Sequence, residues 1–340
     1  MKRIVSSLLR RMAESEALVR PLTLAADALG GSRGCLLTFH RAAPSAVWET
    51  LPNRDFYLDL DFLDRFLAHL KARGWDVVTI EEALRRAARG RADDRYVNFS
   101  VDDCYRDTFE QVVPLFRRHG VPVTLFVTTG IPDGTLPLWA AGLEDVLLRN
   151  DRVALADRTI AVPTPEAKRI AFAEIAAQWD GPEAAAHYAT FCAMNGVDSD
   201  AMHWKHAISW SMLETLRDDP LVEIGAHTVT HPRVSSLSAQ DAMNELRGSR
   251  ERLVSRLHVA ARHFAFPFGR AADCGTRDFE IARQAGFASA ATTRKGLVRR
   301  GQEAFALPRN TINGGHRNLA LMDLHLSGVT GAAARLSGRV

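Results

Sequence analysis

Tyr96-Val97-Asn98-Phe99-Ser100-Val101-Asp102-Asp103 is an apolar strand that runs into two adjacent carboxylates. In a parallel α/β protein, sites are built at the carboxyl ends of strands. Neighbouring residues on a strand point to opposite sides. At a strand end that turns, one carboxylate can hold a metal ion while the other stays free as a base. Taken alone, the pair equally suits a surface turn or a helix cap.

The pattern on either side settles the class. Cys35 to Phe39 reads as a first buried strand ending at His40, and Leu60 to Ala72 has helical apolar spacing that stops at Gly74. Asp76 to Ile80 reads as a short strand and Glu81 to Arg89 as a helix. After the Asp-Asp strand come a helix from Thr108 to His119, closed by Gly120, and a strand from Val123 to Val127. The alternation resumes with strands at Leu221–Ala226, His263–Phe266 and Ala288–Thr292, and helices at Ala239–Leu257 and Asp278–Ala285. Such βαβα order predicts a parallel sheet with helices outside, doubly wound or closed as a barrel.

Between the halves, Ile131 to Asp219 is alanine-rich and reads as helical, with Thr164-Pro165 as a helix start. It is expected to be an insertion, about 131–214, in one barrel domain spanning 31–330. A helical segment at 1–30 precedes that domain, and a tail at 331–340 follows it. Trp139, Trp179, Trp204 and Trp210 in the insertion either anchor its own core or stack on sugar rings.

Composition narrows the function classes. The 340 residues carry a net charge of only +3, which does not point to nucleic acid. The four cysteines form no CxxC pair, so neither a disulfide framework nor a thiolate zinc site is expected. No apolar run is long enough to span a bilayer. Met1 to Arg11 reads as a short amphipathic helix rather than a signal peptide, so a cytoplasmic location is expected, membrane-peripheral at most. Nothing in the sequence speaks to oligomeric state.

A second strand end supplies the partner chemistry. Glu223-Ile224-Gly225-Ala226-His227-Thr228-Val229-Thr230-His231-Pro232 places two histidines four apart just after a strand. Neutral imidazole is the commonest metal ligand. One Asp and two His suit zinc with open positions, and equally the two-His-one-carboxylate set of iron oxygenases. A third strand ends in Pro267-Phe268-Gly269, a rigid apolar turn fit to wall the same pocket.

Together these segments resemble the polysaccharide deacetylase family, carbohydrate esterase family 4 with the NodB homology domain. The family's T-F-D-D-G appears as Ser100-Val101-Asp102-Asp103-Cys104, and its H-(S/T)-x-x-H matches His227-Thr228-Val229-Thr230-His231 throughout. Its R-x-P-(F/Y)-G appears as Ala265-Phe266-Pro267-Phe268-Gly269, and Leu37-Thr38-Phe39-His40-Arg41 is similar to the opening strand of one branch. The resemblance covers roughly residues 31–130 and 210–312. It implies a distorted (β/α)7 barrel and a metal-dependent deacetylase acting on an N-acetylated glycan or glycan precursor.

By that resemblance, Asp103, His227 and His231 hold one divalent ion, most simply Zn²⁺, with Ni²⁺, Co²⁺ or Fe²⁺ as alternatives. Asp102 is then the base and the Tyr105 backbone N–H an oxyanion donor. Two departures stand out. Cys104 replaces a glycine and is expected to keep an ordinary backbone, since positive φ would cost about 1 kcal/mol or more. Ala265 replaces the arginine that usually orients the base, and Arg309 is the candidate to supply that charge from elsewhere. The family's late acid histidine has no clear counterpart, because His325 sits in an apolar helical pattern. His40 is the preferred acid candidate. The rivals are hydrolysis of another amide or ester, a non-catalytic sugar-binding protein, and an iron oxygenase. The oxygenase scaffold would be an antiparallel jelly roll.

Overall fold

A computed structural model describes residues 33–91, 94–179, 181 and 183–336. The segment 1–30, including the helix read at Met1 to Arg11, lies outside the described residues, as do 337–340. The chain lays down β1 (Arg33–Phe39), a short pair β2 (Arg41–Ala43) and β3 (Tyr57–Asp59), then β4 (Asp76–Val77), β5 (Arg95–Asp103) and β6 (Val123–Val127). A hairpin of β7 (Arg152–Ala154) and β8 (Thr159–Ala161) follows. The main sheet then resumes with β9 (Val222–Ala226), β10 (His263–Ala265), β11 (Ser289–Ala291) and β12 (Asn310–Thr311).

The main sheet runs in the order β11-β10-β9-β6-β5-β1-β12 with every pair parallel. Its two edges meet at 307–311. Leu307 bridges Ala291 of β11, and Asn310 pairs with Leu37 of β1. β4 hangs from the lower half of β5, at Tyr96 and Val97, below the point where β6 begins to pair. This is the expected seven-stranded (β/α) barrel, distorted by one extra short strand and joined at 307–311. It is not the antiparallel jelly roll of an oxygenase.

The strands form because their residues are apolar on both faces, as a parallel sheet requires. From Tyr96 to Asp103 every side chain of β5 is buried. The helix Leu60–Ala72 covers it with Phe62, Leu63, Phe66, Leu67 and Leu70, each buried. Full burial of such side chains contributes about 1.5–3 kcal/mol apiece. Phe66 meets Phe99 edge-on at 5.8 Å, and Phe99 meets Phe116 at 5.3 Å. Asp59 caps that helix through Asp61 N and Phe62 N, worth about 1 kcal/mol. The strand read at Asp76 to Ile80 stops at Val77, because Thr79 caps a helix that already starts at Ile80.

Residues 139–214 carry the helices Trp139–Arg149, Pro165–Gln178, Ala184–Met194, Ser199–His206 and Trp210–Glu214, together with the β7–β8 hairpin that sequence did not reveal. Thr164 caps the helix that opens at Pro165, accepting from Ala167 N. These elements have an apolar core of their own, built on Leu143, Leu147, Val153, Phe172, Trp179, Tyr188 and Phe191. Gly142 is required there, since a Cβ would fall 1.8 Å from the Tyr188 hydroxyl oxygen. Trp139 and Trp179 belong to this core, in edge contact at 5.8 Å. Trp210 donates to Asp133, and Trp204 stays exposed. Residues 331–336, read as tail, continue the helix Val329–Leu336. No helix among the described residues is long and apolar enough to cross a membrane.

Candidate active site

The carboxyl ends of β5, β9 and β10 meet at one end of the sheet. β5 does not stop at Val101. It carries Asp102 and Asp103 as its last two residues, paired with Phe126 and Val127 of β6. The chain then turns sharply, with φ of 67° at Asp103 and 68° at Cys104. The ordinary backbone expected at Cys104 is therefore wrong. The side chain is tolerated because it is fully buried, its thiol lying 3.7 Å from the Val101 carbonyl and 3.6 Å from that of Phe126. The cost of left-handed backbone, roughly 1–3 kcal/mol per residue, is borne at the turn that aims both carboxylates.

Beyond β9 the chain curls on itself, with positive φ at Thr228 and His231. The curl has a brace that sequence reasoning missed. Glu245, on the helix Ala239–Leu257, accepts from Val229 N, Thr230 N and the Thr230 hydroxyl. An exposed-looking glutamate on a long helix gives no sequence signal for this. The curl brings His227 and His231 round to Asp103. One ligand atom from each of the three lies within 4.8 Å of the other two.

Those residues fit a metal ion. Asp103 Oδ1 is buried without an aligned hydrogen-bond donor, while His227 Nε2 and His231 Nε2 stand 3.5 and 3.2 Å away. His227 Nδ1 lies 2.7 Å from the Ala265 carbonyl, which makes Nδ1 the protonated nitrogen and leaves the Nε2 lone pair facing Asp103. Burial pushes His227 down to about 4, so the ring is neutral, as a ligand must be. For Asp103, burial works upward, but the His231 ring beside it outweighs this and holds the carboxyl far below its ordinary range. His231 is drawn upward by Asp103 against the opposing effect of burial.

Asp102 meets Arg309, from the segment that joins the sheet edges. Arg309 Nη1 reaches Oδ1 at 2.7 Å and Nη2 reaches Oδ2 at 2.8 Å, a two-pronged pair between fully buried groups. The rest of the guanidinium is held by the Thr292 carbonyl at 3.0 Å and the Thr38 and Ser100 hydroxyls at 3.1 and 2.9 Å. Burial alone would raise Asp102, yet Arg309 keeps it below its ordinary value. The partner of Asp102 thus stands 44 residues beyond Ala265, where the resembled family keeps its arginine.

The remaining residues frame these groups. His40 follows β1, lies near enough to lower both aspartates, and packs on Phe56 at 4.7 Å. Phe268 stands 5.1 Å from His231, partly exposed, at the tip of the Pro267-Phe268-Gly269 turn. Gly269 is obligatory there, since it has φ of 67° and a Cβ would meet Thr293 N at 2.7 Å. Tyr105 is buried beside Asp103 and Arg41. His325 is buried elsewhere, its Nδ1 beside the Thr330 hydroxyl and its carbonyl against Cys35 in the first half of β1. A cavity of about 670 Å³, lined by Glu81, Glu223 and His263 among others, opens at the amino-terminal ends of β9 and β10, opposite these aspartates.

Residues 183–290 match the family model described as Polysaccharide deacetylase. A search of curated proteins finds no match. Among solved structures, the chain resembles the Streptococcus pyogenes deacetylase PplD in complex with acetate, at 15% identity and TM-score 0.59, covering 87% of this chain and 99% of that one. It also resembles IcaB from Ammonifex degensii, at 17% identity and TM-score 0.56, covering 88% and 98%. The deacetylase domain of BpsB from Bordetella bronchiseptica aligns at 15% identity and TM-score 0.51, covering 82% and 95%. The likenesses across nearly the whole of those chains carry the fold, and the family model matches only the stretch 183–290. Residues 183–290 thus resemble the polysaccharide deacetylases, and the chain as a whole shares the fold of these solved structures.

Proposed function

We propose that the protein removes the N-acetyl group from an amino sugar of a polysaccharide, oligosaccharide or glycan precursor, using one divalent metal ion. The observation that carries this reading is the juxtaposition of two unlike carboxylates at one strand end. Asp103 faces two imidazole nitrogens, and Asp102 faces a guanidinium. Asp103, His227 and His231 would hold the ion, and zinc suits this donor set. Such an ion, when bound, polarises the amide carbonyl and acidifies water.

The chain's own groups supply the rest. Asp102 accepts the proton of the attacking water at a carboxylate oxygen, and Arg309 keeps that carboxylate ionised and fixed in direction. The Tyr105 backbone N–H donates to the oxygen on which charge develops. His40, near both aspartates, is the candidate to protonate the departing amine. Phe268 offers an apolar wall to the sugar ring. One of the structurally similar deacetylases was solved with acetate, the product this reaction would release.

The test is acetate release from a panel of N-acetylated glycans, with and without chelator, against Asp102→Asn. Release is expected only from metal-loaded protein, and Asp102→Asn should lower it by about 10²–10⁴-fold. Chelator-insensitive release, or full activity of Asp102→Asn, would refute the reading.

A further inference from the structure

Arg41, on β2, is buried and makes contacts that the reaction chemistry leaves unexplained. Its guanidinium lies between two tyrosine faces, 4.5 Å from the Tyr57 ring centre and 4.6 Å from that of Tyr105. Its Nε is 3.4 Å from both oxygens of Asp107, which also accepts from Ala42 N at 3.0 Å. Its Nη1 is 3.7 Å from Glu144. Glu144 lies on the helix Trp139–Arg149 of the insertion, where it also accepts from Asn53 N at 2.9 Å and from the Tyr57 hydroxyl. One cation therefore gathers three separate pieces of chain: the segment after β1, the loop after β5, and the insertion.

The loop after β5 has a reason to need holding. Asp103 and Cys104 are both left-handed, and such backbone persists only where its surroundings over-determine it. The next residue is Tyr105, whose ring Arg41 covers, and Asp107 follows two residues later. The insertion touches the same loop twice more. Ala207 bridges Tyr105, and Arg106 donates to the Trp204 carbonyl at 2.8 Å. A flat cation serves where an ammonium would not, because only a guanidinium can stack on two rings while bonding in its plane.

We infer that Arg41 is a positioning residue that ties the helical insertion to the loop 104–108, so that the insertion sets the place of the Tyr105 N–H. The inference rests on the deacetylase reading for what that N–H does, but not for whether the coupling exists. Hydrogen exchange and kinetics on the full chain separate the two. Glu144→Gln keeps the size of the side chain and removes its charge. Arg41→Lys keeps the charge and removes the stacking plane. Both should speed amide exchange over 104–108 by about tenfold while the helix Ala239–Leu257 exchanges as before. Both should also lower kcat by about tenfold with KM within about twofold.

Unchanged exchange over 104–108 in both variants would overturn the coupling. So would faster exchange that rises equally across the whole chain, since that reports global destabilisation. A wild-type protein that releases no acetate would remove the deacetylase reading, and the exchange result would still decide the coupling.

Discussion

Arg309 is the residue whose replacement tests the site most sharply. Its guanidinium contacts five acceptors, and two of these are the oxygens of Asp102. Arg309→Lys retains a positive charge but offers one nitrogen in place of three. It can keep one bond to Asp102 and loses the second prong and the Thr292 anchor. A hydrogen bond to a charged group is worth about 1.5–3 kcal/mol, which corresponds to a loss of about 10–100-fold if it acts on the transition state. Arg309→Met removes the cation and leaves a buried carboxylate unpaired, which costs about 3–5 kcal/mol of stability. The assay is kcat/KM for acetate release at saturating zinc, alongside urea unfolding of each variant. Activity of Arg309→Lys within about twofold of wild type would refute the claim that this arginine aims the base. A loss fully matched by the unfolded fraction would refute it equally.

Two further outcomes are expected. Glu245→Gln weakens the brace on the 227–231 curl, so zinc affinity measured by competition with a chelating dye should fall by about 10–100-fold, and unchanged affinity would count against the brace. Burial, reinforced by Arg41, pushes the half-buried His206 from its ordinary 6.5 down to about 4. The unfolded chain then binds a proton that the folded one refuses. Stability is therefore intact above pH 6.5 and is lost as pH falls toward about 4, by up to about 1.4 kcal/mol per pH unit. Urea unfolding at pH 7.5 and pH 5 should show a smaller difference in His206→Phe, and an identical difference would exclude His206 as a source.

Much of the fold was legible because apolar runs and caps agree with each other. Leu60–Ala72, Val123–Val127 and Ala239–Leu257 stand where periodicity placed them. β2, β3 and β12 are only two or three residues long, too short for any period to appear. Asp103, His227 and His231 could be grouped because each follows an apolar strand in a parallel pattern, so their strand ends had to share a face. Their precise approach depends on positive φ at four residues that are not glycine, which residue type argues against. The expectation of ordinary backbone at Cys104 failed for that reason. What favours the turn there is burial of a small thiol, a fact of packing and not of propensity. The contacts of Arg41 and Glu245 were invisible because they join segments that no local pattern relates.

The joining of the sheet edges at 307–311 also orders events in time. A growing chain has made Asp102, Asp103, His227 and His231 once residue 231 is synthesised, but the cation that balances Asp102 arrives only 78 residues later. At ribosomal speed that gap lasts roughly 4–16 s. During it the sheet stays open at that seam, because Leu307, Asn310 and Thr311 are not yet made, and Asp102 lacks the cation that offsets its burial. Joining of the sheet edges and charge pairing of Asp102 are then a single event, and a chain cut short before residue 307 would be unable to do either.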